Sequence, residues 1–313
     1  MRPSIDTLPR GEHCLCQFRA LTSLKLAFTN LRSEALAVIC EGLQGTLECL
    51  DISGTRVTQL TSLSLLRHLR VLSMHSLRHV LMGEWITAAR VLHGLRQNLE
   101  HVDVSGSFPS DDSELCLIAR ELMAIVTRTE PSAAVFPRLR SLDLSACIHP
   151  SEAQMSTFLR LHAHNLEFLG GFASLLCRFD CVKDFEQTGG KVAGDGSHAQ
   201  LLCALETYAQ GKREGFAQLS LQEFHRQLSG TFMDTASRQE QERALEAVLL
   251  AMHSYPRSRA IQQEAITCIC DLCLRHRATL WEEQSMKRIA DACMDAEEQF
   301  DPAHNANLHV CTE

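Results

Sequence analysis

One apolar frame, repeated along the first half of the chain, limits the possible folds more than any other feature. Leu47, Leu50 and Ile52 hold the spacing L-x-x-L-x-L, and Thr55 and Val57 continue it. The frame returns at Leu21, Leu24, Leu26, Thr29 and Leu31, at Leu69, Leu72 and Met74, and at Leu99, Val102 and Val104. It returns again at Leu139, Leu142, Leu144 and Cys147, and a degraded copy sits at Leu166 and Leu169. One copy arises by chance. Ordered copies at this spacing imply units that bury their apolar sides only against their neighbours, as in a solenoid.

The frame is that of the strand core of a leucine-rich repeat, with Cys147 in the Asn/Cys slot. The expected strands lie near 24–27, 49–53, 71–75, 101–105, 141–145 and 167–170, and helices or short returns fill the intervals. Ser33 is expected to cap a helix reaching Gly45, with Ala35, Leu36, Ile39, Cys40 and Leu43 as its apolar face. The return over 60–66 is short. A helix over 83–96 carries an inner stripe of Trp85, Ala88, Ala89, Leu92 and Leu95. Ser110 to Ser113 read as a cap region before a helix striped by Leu115, Ile118, Ala119, Leu122, Ile125 and Val126, with a loop over 130–137. Pro150 and Ser151 open the next helix.

Glycines at 171, 189, 190, 194 and 196 interrupt the frame, which places a boundary there. From His198 onward nothing reads as strand. Helices are expected at about 198–210, 220–232, 237–254, 258–277 and 282–299. Ala244, Leu245, Val248, Leu249 and Met252 form one stripe. Ile261, Ala265, Ile266, Ile269, Leu272 and Cys273 form another, with Pro256 in the turn between. The expected organisation is a leading segment 1–20, an α/β leucine-rich-repeat solenoid 21–176, a linker 177–197, an all-α armadillo-like helical solenoid 198–300 and a tail 301–313.

Composition narrows the function. The 313 residues carry a formal net charge of −8 and no Lys/Arg-rich cluster, which argues against nucleic acid as a partner. No apolar run reaches membrane-spanning length, and the polar start does not resemble a secretory signal, so an intracellular location, cytoplasmic or nuclear, is expected. In such a reducing compartment the 14 cysteines read mostly as small buried hydrophobes with free thiols.

Two stretches carry a family resemblance. VAGDGSHAQLLCALETYAQGKREGFAQLSLQEF (192–224) and RALEAVLLAMHSYPRSRAIQQEAITCICDL (243–272) resemble the armadillo region of the Zyg-eleven and Zer substrate receptors of cullin-RING ubiquitin ligases. The order of leucine-rich repeats, a Gly-rich junction and armadillo-like helices is similar too. The resemblance implies a non-catalytic adaptor that binds protein substrates for ubiquitin transfer and docks on cullin and elongin subunits. Family members read substrates with an exposed N-terminal glycine. Residues 1–20 show no copy of the family's cullin- and elongin-binding box, and the family's degron pocket lies in later armadillo repeats, so no pocket residue is carried over. A partial or divergent member is expected; a generic repeat scaffold unrelated to cullins is the alternative.

On the expected concave face, Asp51, Asp103 and Asp143 form one row, and Ser53, Ser105 and Ser145 the next. They read either as a polar ladder for a partner peptide or as residues that suit an exposed sheet and satisfy the turn after it. Cys14 and Cys16, the Cys268, Cys270, Cys273 group, and the His75/His79 and His162/His164 pairs lack the spacing or the extra ligand of a metal site. Gly189-Gly190-Lys191 lacks the rest of a phosphate loop. No motif pairs a nucleophile with a base. No catalytic residue, metal or cofactor is therefore expected.

Overall fold

The computed structural model describes residues 20–80, 83–106, 117–128, 135–210, 213–228, 230, 232–275 and 283–300. The expectations for Cys14 and Cys16, for Ser110 to Ser113 with Leu115, for most of the 130–137 loop and for the tail 301–313 lie outside those residues. Internal contacts divide the chain into two units, Met1–Val192 and Ala193–Glu313.

The first unit is built on seven three-residue strands: β1 (Ser23–Lys25), β2 (Cys49–Asp51), β3 (Val71–Ser73), β4 (His101–Asp103), β5 (Ser141–Asp143), β6 (Phe168–Gly170) and β7 (Lys191–Ala193). They form one sheet in chain order, parallel and in register from β1 to β6. Side chains alternate along a strand, so a three-residue strand sends only its middle residue inward. Those middle residues are Leu24, Leu50, Leu72, Val102, Leu142 and Leu169, partners across the sheet, with Val192 buried in β7. Each buried leucine contributes roughly 1.5–3 kcal/mol relative to exposure. The frame read from the sequence is thus a continuous apolar row.

The chain turns at the same place after β1, β2, β3, β5 and β6. Four residues past the row stand Phe28, Gly54, Ser76, Ala146 and Ala173, all left-handed with φ between 53° and 62°. One residue further, the hydroxyls of Thr29, Thr55 and Ser174 donate to the carbonyls of Leu26, Ile52 and Gly171 at 2.7, 2.7 and 2.8 Å. Cys147 holds the equivalent slot, and its thiol donates to Val104 O in the preceding repeat. A short polar side chain here satisfies a carbonyl that the turn would otherwise strand.

Helices α1 (Ser33–Leu43), α2 (Glu84–Leu95), α3 (Ile118–Arg128) and α4 (Glu152–His162) fill the longer intervals, and a 3-10 turn, Thr61–Leu65, fills the short one. The stripes expected for α1 and α2 are buried throughout. Ser33 does not cap α1, whose N-cap is Arg32 without a side-chain bond. Its Oγ instead accepts from Thr58 N and Gln59 N at 3.0 Å and ties α1 to the following segment. Gly45 is not left-handed; backbone bonds from Thr46 and Leu47 to Leu43 O close the helix. Ser151 does cap α4, in a box with Gln154.

The stretch expected as a linker is folded. It holds the end of the 3-10 turn Leu175–Arg178, helix α5 (Asp180–Gln187) and strand β7. Val182 and Phe185 of α5 are buried. The glycines that suggested flexibility end α5: Gly189 is left-handed at φ 100°, Gly189 N bonds Glu186 O and Gly190 N bonds Phe185 O, both at 3.0 Å. A Cβ on Gly190 would meet the Phe185 ring at 2.3 Å. This paired C-terminal closure needs glycine.

The second unit is helical after β7: α6 (His198–Gln210), α7 (Glu214–Leu228), the short α8 (Phe232–Thr235), α9 (Arg238–Ser254), α10 (Arg259–Arg275) and α11 (Glu283–Gln299). Helix α7 starts earlier than expected because Ser220 lies in its middle, buried, with its hydroxyl donating back to Ala217 O at 3.0 Å. Ser237 caps α9 in a box with Glu240. Helix α6 packs on α7 and α9, and α10 packs on α7 and α9. Tyr208 stacks on Phe216 with ring centres 5.1 Å apart. Gln262 donates to Met252 O and Tyr255 O at the end of α9, at 2.8 and 3.1 Å. No helix among the described residues is long and apolar enough to cross a membrane.

Candidate protein-interaction face

The sheet of the first unit has one face against the apolar core and one turned away from it. The residues flanking each buried middle residue occupy the second face. Ser23, Lys25, His101 and Lys191 are exposed there, and Cys49, Asp51, Val71, Ser73, Ser141 and Phe168 are half-buried. Strand pairing spaces these positions by about 4.8 Å, so the face presents rows of side chains on a fixed backbone.

The aspartate and serine rows expected on this face lie in register, but most of their side chains are engaged within the protein. Asp51 is half-buried, and its Oδ1 accepts from Ser53 N at 3.0 Å. Asp103 and Asp143 are 8% and 2% exposed. Asp103 accepts from Ser105 N at 3.1 Å and from Ser105 Oγ at 2.8 Å. Asp143 accepts from Ser145 N at 3.0 Å. Ser53 and Ser145 then accept from His75 N and Phe172 N in the next repeat, at 3.2 and 3.0 Å. Each pair closes its own turn, and Ser53 and Ser145 also tie it to its neighbour. Of the six residues, Asp51 keeps the most accessible side chain.

A second row went unnoticed in the sequence. Two residues before the middle residues of β2 to β6 stand Glu48, Arg70, Glu100, Arg140 and Glu167, alternating in sign along the sheet. Arg70 bonds Glu100 through Nε at 3.0 Å and Nη2 at 2.9 Å, and reaches Glu48 at 3.3 Å. Arg140 bonds Glu167 at 3.0 and 2.5 Å. The Arg70 guanidinium holds the Glu100 carboxyl below its usual range. Reading the residue at a fixed offset before every repeat leucine would have revealed the alternation. Exposed pairs of this kind add little stability and act mainly on register and on what docks beside them.

Phe28 is a large apolar ring strongly exposed beside this face, at 46%. Its ring lies over Gly54, where a Cβ would come within 2.4 Å of it, and meets His75 edge-on at 5.7 Å. A left-handed backbone is unusual for so bulky a residue.

The thiols and histidines weighed as ligands sit elsewhere. Burial pushes the Cys40 thiol up to about 12 and raises that of Cys268 as well. Cys270 is disulfide-bonded, an exception to the free-thiol reading. His75 is buried beneath the turn row. His162 is buried in α4, and burial lowers its affinity for a proton. Among the described residues no group of three or more His, Cys, Asp or Glu is placed to hold a metal ion. Comparison with protein-family models finds no match, and comparison with solved structures finds none.

Proposed function

We propose that this chain is a non-catalytic protein-binding scaffold, with leucine-rich repeats in the first unit and armadillo-like helices in the second. The observation that carries the reading is the open face of the parallel sheet. Its side chains repeat at strand spacing on a backbone whose turns are hydrogen-bonded from one repeat to the next. Such a surface positions a partner with little loss of its own conformational freedom. The narrower reading rests on the resemblance of residues 192–224 and 243–272: a substrate-recognition adaptor of a cullin-RING ubiquitin ligase, with chemistry supplied by other subunits.

Affinity purification of the full gene product tests the narrower reading. Recovery of an elongin–cullin pair supports it. Recovery of other partners, unchanged by cullin depletion, favours a scaffold unrelated to ubiquitin transfer.

A further inference from the structure

The return between β2 and β3 is a 3-10 turn rather than a helix, while the next interval holds the full helix α2. The step between them leaves a hollow of about 420 Å³ on the side of the unit away from the open sheet face. Ser64 and Arg67 form one wall. Thr87, Arg90, Val91, Gly94 and Leu95, spaced to share one face of α2, form the other, and Gln97 and Asn98 close the end.

The chemistry of this lining is one-sided. It holds two guanidinium groups, two hydroxyls and two carboxamides, and no carboxylate, in a chain of net charge −8. Arg67 and Arg90 make no ion pair with any described residue, whereas Arg70, three residues past Arg67, is held between Glu48 and Glu100. Asn98 spends its amide on Arg67 O at 2.6 Å. Val91 and Leu95 are buried and give the hollow an apolar floor. Gly94 presents no side chain, so a bound chain can approach the helix closely. The end of α2 carries about half a negative charge, which opposes an anion. Two full positive charges outweigh it, and Arg96 Nη1 already covers the His93 carbonyl at 2.9 Å.

We propose that this hollow binds a phosphomonoester carried on a protein segment, such as a phosphorylated serine or threonine. Arg67 and Arg90 clamp the dianion, Thr87 and Gln97 donate to its oxygens, and the apolar floor takes the flanking residue. Guanidinium forks suit phosphate oxygens in geometry and charge. A free phosphate would supply the same charge without the contact to the floor. The site lies apart from the open sheet face, so it stands or falls independently of the proposed adaptor role.

Fluorescence polarisation with the intact chain tests this. The probes are two labelled degenerate peptide pools, one centred on phosphoserine and phosphothreonine, the other on unmodified serine and threonine. The phosphorylated pool should bind at least tenfold more tightly, and R67Q and R90Q should each weaken it about tenfold or more. R90K should keep part of the affinity, and circular dichroism should match wild type for all three variants. Equal binding of the two pools, or binding unchanged in R67Q and R90Q, overturns the proposal. So does competition by inorganic phosphate at the concentration at which the peptide itself competes, since that would mark a free-anion site.

Discussion

Replacing His162 with leucine removes one hydrogen-bond acceptor from the core of the first unit while keeping the site apolar and filled. The Nδ1 of His162 lies 2.7 Å from Phe158 O, and a carbonyl only accepts, so Nδ1 carries the proton. Nε2 then accepts from Phe136 N at 3.1 Å. The ring stacks on Phe158 with centres 4.2 Å apart. In H162L the buried Phe136 N–H loses its partner, which costs about 1–3 kcal/mol. Protonation causes the same loss in the wild type, because a charged ring has no acceptor to offer Phe136. Burial, the largest cause, and the nearby His164 lower the folded-state pKa, and the bond to Phe158 opposes them.

The sign follows. A depressed folded pKa contributes stability that is present above the unfolded value near 6.5 and is lost as pH falls below it towards the folded value. One proton limits the slope to about 1.4 kcal/mol per pH unit. Urea titration read by hydrogen exchange of peptides spanning α4, at pH 7.5 and 5.5, isolates this unit. H162L should be less stable than wild type at pH 7.5. Wild type should lose more stability than H162L between the two values. Equal pH dependence in the two proteins would rule out His162 as the titrating group, and H162L matching wild type at pH 7.5 would rule out a stabilising Phe136–His162 bond.

Two other substitutions probe the frame. G170A would place a methyl 2.1 Å from Asp143 Oδ1, whose carboxylate is buried and fixed on Ser145 N; the overpacking should cost about 1–3 kcal/mol, read as a lower urea midpoint. S237A removes the cap of α9 and should cost about 1 kcal/mol, with faster exchange confined to the first turn of that helix.

The repeat frame was legible because every copy obeys one constraint: a three-residue strand can hide only its middle side chain. Leu50, Leu72 and Leu142 therefore announce both the strands and their alignment. The polar residues were harder to read. Ser33 looked like a helix cap because a hydroxyl near an apolar stripe usually is one, and a helix was expected to begin near Ser220. The first accepts from a loop 25 residues away, and the second bonds back within its own helix. Neither partner can be inferred from local spacing.

Gly189 and Gly190 suggested a linker for a similar reason. Glycine both frees a chain and ends a helix, and the eight-residue α5 before it is too short to show a clear period. The alignment of Asp103 with Asp143 and of Ser105 with Ser145 was visible in the sequence. Their inward engagement depends on where the backbone N–H two residues past each aspartate lies, at Ser105 N and Ser145 N, and residue type alone does not show that.

The open sheet face is the proposed protein-binding surface. Quantitative affinity purification comparing wild type with K25E/H101E tests this most directly, because both side chains are exposed on that face and such surface changes cost within about 0.5 kcal/mol of stability. Partners recovered with wild type should be lost from the variant while its fold and urea midpoint stay the same. Full retention of every partner by a folded K25E/H101E protein would contradict it.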